Sequence, residues 1–366
     1  MENQNSKVSR RQFFFIIIQT QIGVGVMTMP YELHSAAKQD GWMSLLAAGI
    51  IIQILLIFFW VLAKQHAELD YFQILENVLS KWIGKFFSFF YILYFISVSV
   101  LVLILFGRMI SLWVLPNTPF WVLSAMMILV SLYIACCRFI VLARIYTMFS
   151  ILLVFMIVFI FYAVKEAQLI YLFPMGHAGF KTILAGVDKG MIALLGFIVS
   201  LVVYSKVEGN AKDKLKTIIY AHWTVTIFYL AVVFATFTVF GTQEIALVPE
   251  PVLYMLKAYQ FPIIARVDLF FIAMWMVFVA TSYTTYLYMA TLGSTRLIGK
   301  NKPKLFMFSI AILSFIMSLL IGYDFTKLDK LSTYVGKGGY FFSVLFPFLI
   351  LIVSLLRKKN RKEGAV

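Results

Sequence analysis

The residues able to do chemistry in this chain are polar or glycine positions set inside long apolar runs. The first group is Gln19-Thr20-Gln21-Ile22-Gly23-Val24-Gly25, closed by Thr28 and Pro30. Two glycines one residue apart weaken a helix by about 1 kcal/mol each relative to alanine. They either admit close packing of a neighbouring helix or let the helix unwind and turn backbone N–H and C=O groups toward a ligand or ion. Gln19, Thr20 and Gln21 beside them favour unwinding. A second group is Gly186, Asp188, Lys189 and Gly190 with Gly196 further on, where Gly186 and Gly190 also suit close packing. The third is Thr281, Ser282, Tyr283, Thr284, Thr285, Tyr286 and Tyr288, seven hydroxyls in eight positions. Thr281, Thr285 and Tyr288 share one helical face. One or two threonines could bond back to their own helix, but this density points to a face lining a cavity. Tyr94, Ser97 and Ser99 are weaker candidates for the same cavity.

The chemistry these groups offer is binding by hydroxyls, backbone groups and helix ends. No Asp, Glu, Lys or Arg falls at the centre of an apolar run; Arg108, Lys189 and Arg266 with Asp268 lie near run ends, within reach of an interface. This pattern disfavours a proton relay through a buried carboxylate and suits a neutral or zwitterionic solute held by helix dipoles. His34, His66, His177 and His222 show no metal or catalytic spacing and read as surface or interface positions. Cys136 and Cys137 are adjacent, which rarely suits a disulfide. With no nucleotide loop, serine elbow, paired carboxylates or zinc spacing, neither a cofactor nor an enzymatic activity is expected.

The elements that must position these residues are membrane spans. Of 366 residues, 62% are hydrophobic and 13% charged, too little polar surface to cover a soluble body. The net charge of +15 does not argue for nucleic acid, because the basic residues lie between apolar runs rather than in one patch. Spans of about 20 residues fall near 11–31, 42–63, 86–114, 120–137, 144–164, 187–205, 217–240, 267–292, 304–322 and 339–356. The first reads as a retained helix rather than a signal peptide, since its apolar stretch runs to about Pro30. Placing both chain ends on the cytoplasmic side puts 21 of the 31 Lys and Arg residues there and 8 outside, with Arg108 and Lys189 near span ends. The run Val252–Tyr259 reads as an interfacial helix of an outer loop, and Glu68–Leu79 as an amphipathic helix on the inner membrane surface. The ten spans divide five and five around the loop at 165–186, so a duplicated unit would be inverted. The pseudo-repeats would cover about 11–164 and 187–356 of a single polytopic domain, residues 1–366.

The run Ile22-Gly23-Val24-Gly25-Val26-Met27-Thr28-Met29-Pro30 resembles the first-span signature of the spore germination permease family. Gly41-Trp42, Lys81-Trp82-Ile83-Gly84, and Arg266-x-Asp268 leading to Trp275 resemble family features too, and the likeness covers essentially the whole chain. These are the B subunits of nutrient germinant receptors, within the amino acid–polyamine–organocation transporter superfamily. The resemblance implies an all-α membrane protein of about ten transmembrane helices with a LeuT-like 5+5 inverted repeat, helices 1 and 6 broken around a midplane site. By similarity that site uses Gly23, Gly25, Tyr94, Val98, Leu195, Gly196, Thr281, Ser282 and Tyr286. At the sixth span only Leu195-Gly196 matches the family, which leaves ligand identity open.

It also implies a receptor A subunit, a lipoprotein C subunit and the spore inner membrane. The expected function is sensing of a small germinant such as an amino acid. The alternatives are an active transporter coupled to Na⁺ (Thr281, Ser282, Thr285) or H⁺, and a water or ion conduit or structural subunit.

Overall fold

The computed structural model describes residues 7–258, 266–300, 302–322 and 324–363. Helix α1 spans Arg10–Gln21 and opens on a capping box in which the Ser9 side chain and Gln12 satisfy each other's backbone N–H. The chain bends at Ile22 and Gly23 and resumes as α2, Gly25–Ala37, which carries Pro30 inside it. A short 3₁₀ turn leads to α3, Gly41–Gln65. There the buried Asp40 carboxylate accepts from the Gly176 and Ala178 amides at 2.7 and 2.9 Å, pinning the distant 165–178 loop.

Helix α4, Tyr71–Val78, begins at a second capping box, Asp70 with Gln73. It is not a surface helix resting on lipid. Tyr71, Phe72, Ile74 and Leu75 are at most 1% exposed, because α4 packs against α5, Lys81–Trp113. At 33 residues, α5 reaches about 50 Å at about 1.5 Å per residue, beyond a hydrocarbon core of about 30 Å. Helix α6 covers Phe120–Ala135, and α7 (Phe139–Phe149) runs almost straight into α8, Ile151–Ala163.

Helix α9, Phe180–Ala193, stops in mid-run. The chain passes through Gly196 at φ +112° and continues as the single turn α10, Val199–Val202. Then follow α11 (Ala211–Val239), the short α12 (Thr242–Ile245), α13 (Pro251–Ala258) and α14, Val267–Ile298. Val252, Leu253, Met255 and Leu256 of α13 are buried against α2, α11 and α14. The expected interfacial helix is therefore a cap on the protein; Tyr259 and Pro262 of that loop lie outside the described residues. Helix α15 is Pro303–Ile321. The last expected span is longer than its apolar run: α16 (Phe325–Tyr340) passes through a π turn into α17, Phe346–Glu363.

Among the described residues, seven helical segments are long and apolar enough to cross a membrane, and the chain is a multi-pass membrane protein. Hydropathy divides the sequence differently. The first and sixth runs are broken into short helices, and α6 has only 16 residues. The broken helices are central, with α1 packing on α7, α11 and α14, and α2 and α9 on each other and on α3.

Both described ends meet one face. Lys7 pairs with Glu68 at 3.1 Å, and Arg357 donates to the Asn77 and Leu79 carbonyls at the end of α4. A parallel bridge, Val8 to Val207, ties the N-terminal segment to the stretch after α10, reinforced by Arg10 with Asp213 at 2.7 Å.

Candidate ligand site between two broken helices

A helix that stops inside a membrane leaves its last carbonyls without partners, and lipid offers none. Here neighbouring side chains supply them. Ser282 Oγ donates to the Thr20 carbonyl at 3.1 Å, Tyr229 Oη to that of Gln21 at 3.3 Å, and Trp275 Nε1 to that of Gly23 at 3.1 Å. The Gln21 amide nitrogen donates to the Leu194 carbonyl at 3.1 Å, so the end of α1 also satisfies the end of α9. A Cβ at Gly196 would lie 2.7 Å from the Thr20 oxygen. That approach, together with the positive φ, restricts the position to glycine.

At this crossing lies a cavity of about 350 Å³, within the range of small-ligand pockets. Gly23, Gly25, Val98, Leu195, Ser282 and Tyr286 all stand in its wall, six of the positions that the family likeness singles out. Tyr94, Gly196 and Thr281 do not. Tyr94 stacks on Phe342, ring centroids 5.1 Å apart, and Gly196 sits behind the wall against α1. Helix α2 begins at Gly25 without a side-chain cap, so its uncapped, positive end opens on the cavity.

The hydroxyl-rich face of α14 is mostly a seam. Thr281 Oγ1 lies 2.6 Å from Gln19 Oε1 and Thr285 Oγ1 3.2 Å from Thr20 Oγ1, while Tyr146 Oη donates to the Thr281 carbonyl at 2.7 Å. Thr284 bonds back to Ala280, and Tyr288 meets Lys206 near the end-bearing face. Only Ser282 and Tyr286 of the seven hydroxyls reach the cavity. Thr281 and Ser282 thus lie beside the Gln19 and Thr20 carbonyls, and Thr285 beside the Thr20 hydroxyl. Among the described residues no group of three or more His, Cys, Asp or Glu side chains gathers as a metal site.

Several wall residues were not legible as site positions. Trp275 stood out only as a motif residue. Glu32, whose carboxylate accepts from Thr28 Oγ1 at 3.1 Å, falls just beyond the expected end of the first span. Glu250, from the loop before α13, and Arg108 complete the outer part of the wall. Burial raises the Glu250 pKa, and the charge of Arg108 opposes that rise. Two histidines are not at the surface. His34 is 2% exposed with its ring edge-on to Phe237, and His222 is fully buried, its Nε2 2.9 Å from the Gly49 carbonyl.

Two interrupted helices stitched around a cavity define a transporter-like membrane protein. The solved structure of MhsT in complex with L-phenylalanine is similar over 94% of this chain and 89% of that one, with a TM-score of 0.68 at 15% identity. A substrate-bound Na⁺-coupled sialic acid symporter is similar over 90% and 77%, with a TM-score of 0.64 at 15% identity. The fold is therefore that of the LeuT-type transporters. Within it, the chain belongs to the spore germination permease family, whose model, described as spore germination protein, matches residues 7–326. Relatives include spore germination protein GerQB of Bacillus cereus, 26% identical over 97% of this chain and 98% of its own length. Spore germination protein YndE of Bacillus subtilis (strain 168) is 23% identical over 99% and 100%.

Proposed function

We propose that this chain is the membrane subunit of a germinant receptor and binds a small neutral or zwitterionic nutrient, an amino acid foremost, between its broken helices. The observation that carries this reading is the polarity of the cavity. The uncapped N-terminus of α2 at Gly25 and the C-terminal end of α9 at Ala193 meet there, with a Cβ at Gly25 falling 3.5 Å from Ala193 Cα. Opposed helix ends favour a carboxylate and an ammonium side by side.

The ligand set is Gly23, Gly25, Val98, Leu195, Ser282 and Tyr286, with Tyr94, Gly196 and Thr281 supporting the wall from behind. Binding favours one arrangement of the helices, which receptor A and C subunits would read in the spore inner membrane. The excess of Lys and Arg on the end-bearing side favours cytoplasmic ends, and the halves 11–164 and 187–356 would be the inverted units. The test is a germination screen of amino acids, nucleosides and sugars on spores carrying this receptor alone. A response confined to sugars or nucleosides would contradict the amino-acid assignment.

A second reading, Na⁺-coupled transport, is favoured by one feature. Thr281 Oγ1 and Ser282 Oγ lie 3.4 and 3.1 Å from the Gln19 and Thr20 carbonyls, an all-oxygen cluster of the kind a hard cation takes. Uptake into vesicles that rises with an imposed sodium gradient would support it. Binding without uptake supports sensing.

A further inference from the structure

Gln21 is 1% exposed, stands in the cavity wall and is held by three contacts. Its Nε2 donates to the Leu194 carbonyl at 3.1 Å and lies 3.5 Å from His222 Nδ1. His222 Nε2 faces the Gly49 carbonyl at 2.9 Å. A carbonyl only accepts, so that ring nitrogen carries the hydrogen and Nδ1 of the neutral ring is an acceptor. Both neighbours of the Gln21 nitrogen therefore demand a donor. Turning the amide over would set Oε1 against the Leu194 oxygen, so the orientation is fixed by chemistry. The backbone is held as well, through Tyr229 Oη on the Gln21 carbonyl.

This leaves Oε1 as a buried acceptor that meets no donor among the described residues. Such an atom carries an uncompensated desolvation cost until a donor reaches it. It stands where α1 ends at Gln21 and α9 ends at Ala193, two C-terminal helix ends carrying partial negative charge. The uncapped N-terminus of α2 begins four residues further on, at Gly25.

We infer that Gln21 recognises the ammonium group of an α-amino acid, Oε1 accepting one of its N–H bonds while the ligand carboxylate takes the start of α2. This rests on the cavity being the ligand site, and it adds a specificity determinant outside the positions that the family likeness singles out. Through Leu194 and His222, the same amide would relay occupancy to α9 and α11.

The test uses the detergent-purified full chain and equilibrium binding of the 20 common L-α-amino acids, each bound acid being paired with its desamino analogue. Wild type should bind at least one neutral amino acid, and removal of the amino group should weaken it by about 10-fold or more, the roughly 1.4 kcal/mol of one lost bond. Gln21→Met, of similar length but with only a weakly accepting thioether in place of the carbonyl, should weaken the amino acid by a similar factor and leave the desamino analogue within about 2-fold. The thermal melting of that variant without ligand reports its folding, and Gln21→Asn, with its oxygen drawn back, should show a smaller loss in the same direction.

Unchanged discrimination in a folded variant would overturn the role of Gln21 while leaving the cavity as the site. Should neither variant fold, equal affinity of wild type for an amino acid and its desamino analogue overturns it too. Failure of wild type to bind any amino acid would overturn the cavity reading itself, and this inference with it.

Discussion

Trp275, Ser282 and Tyr229 show how single side chains make a broken helix tolerable, each donating to one carbonyl at the end of α1. Ser282→Ala or Tyr229→Phe strands a buried acceptor, which should cost about 1–3 kcal/mol; thermal unfolding in detergent should shift down for either variant. A loss near zero for both would mean that water takes over the bond. Glu250 sets a pH effect of definite sign. Burial raises its folded-state pKa, so the folded protein takes up this proton more readily than the unfolded chain. Acidification through that range therefore adds stability, and raising the pH removes it. Glu250→Gln should abolish that increment in melting curves taken across pH. The acceptor side of the site was legible, because Gly23, Gly25 and the Gln19-Thr20-Gln21 run are local in sequence. The donors were not: Trp275 and Gly23 are 252 positions apart, and nothing in either segment specifies the other.

The two breaks are unequal as elements. A methyl at Gly23 or Gly25 would meet its nearest neighbours at 3.6 and 3.5 Å, ordinary contact distances. Gly23→Ala and Gly25→Ala should therefore fold normally, whereas Gly196→Ala combines a 2.7 Å clash with Thr20 and a φ of +112°. That variant should lose at least about 1–3 kcal/mol and show reduced yield of monodisperse protein; full recovery would mean that the break relaxes freely. Helix existence was legible throughout from apolar runs, and so was the unwinding of the first span. Less legible was what covers a helix. The period of α4 suits a lipid surface as well as a protein groove, and only the approach of α5 and α17 decides between them. The start of the last helix is hidden because the charges of Lys327, Lys330 and Lys337 suit a loop as well as a helix, whereas Asp324 caps a helix there by accepting from the Thr326 and Lys327 amides.

At the scale of the whole molecule, the cavity lies between the two breaks and extends to the side bearing Arg108 and Glu250. The opposite side holds both described ends and a larger recess of about 860 Å³, flanked by Arg138, Lys206, Arg296, Lys300 and Lys304. The cavity and the end-bearing recess thus lie on opposite sides, linked by α14 and by the Gln21–Leu194 contact. Composition and loop charge made the membrane class and a two-sided layout legible; the depth of the cavity depends on packing that no local pattern encodes. The central claim is that germinant occupies this cavity. It is tested most directly by the germination dose response of spores whose receptor carries Val98→Phe, with subunit abundance measured in parallel. Val98 stands in the wall at 5% exposure, and a phenyl ring there fills the space a ligand needs. The account predicts a shift of about 10-fold or more in the concentration required, or loss of response, at normal abundance. An unchanged dose response at normal abundance would contradict it.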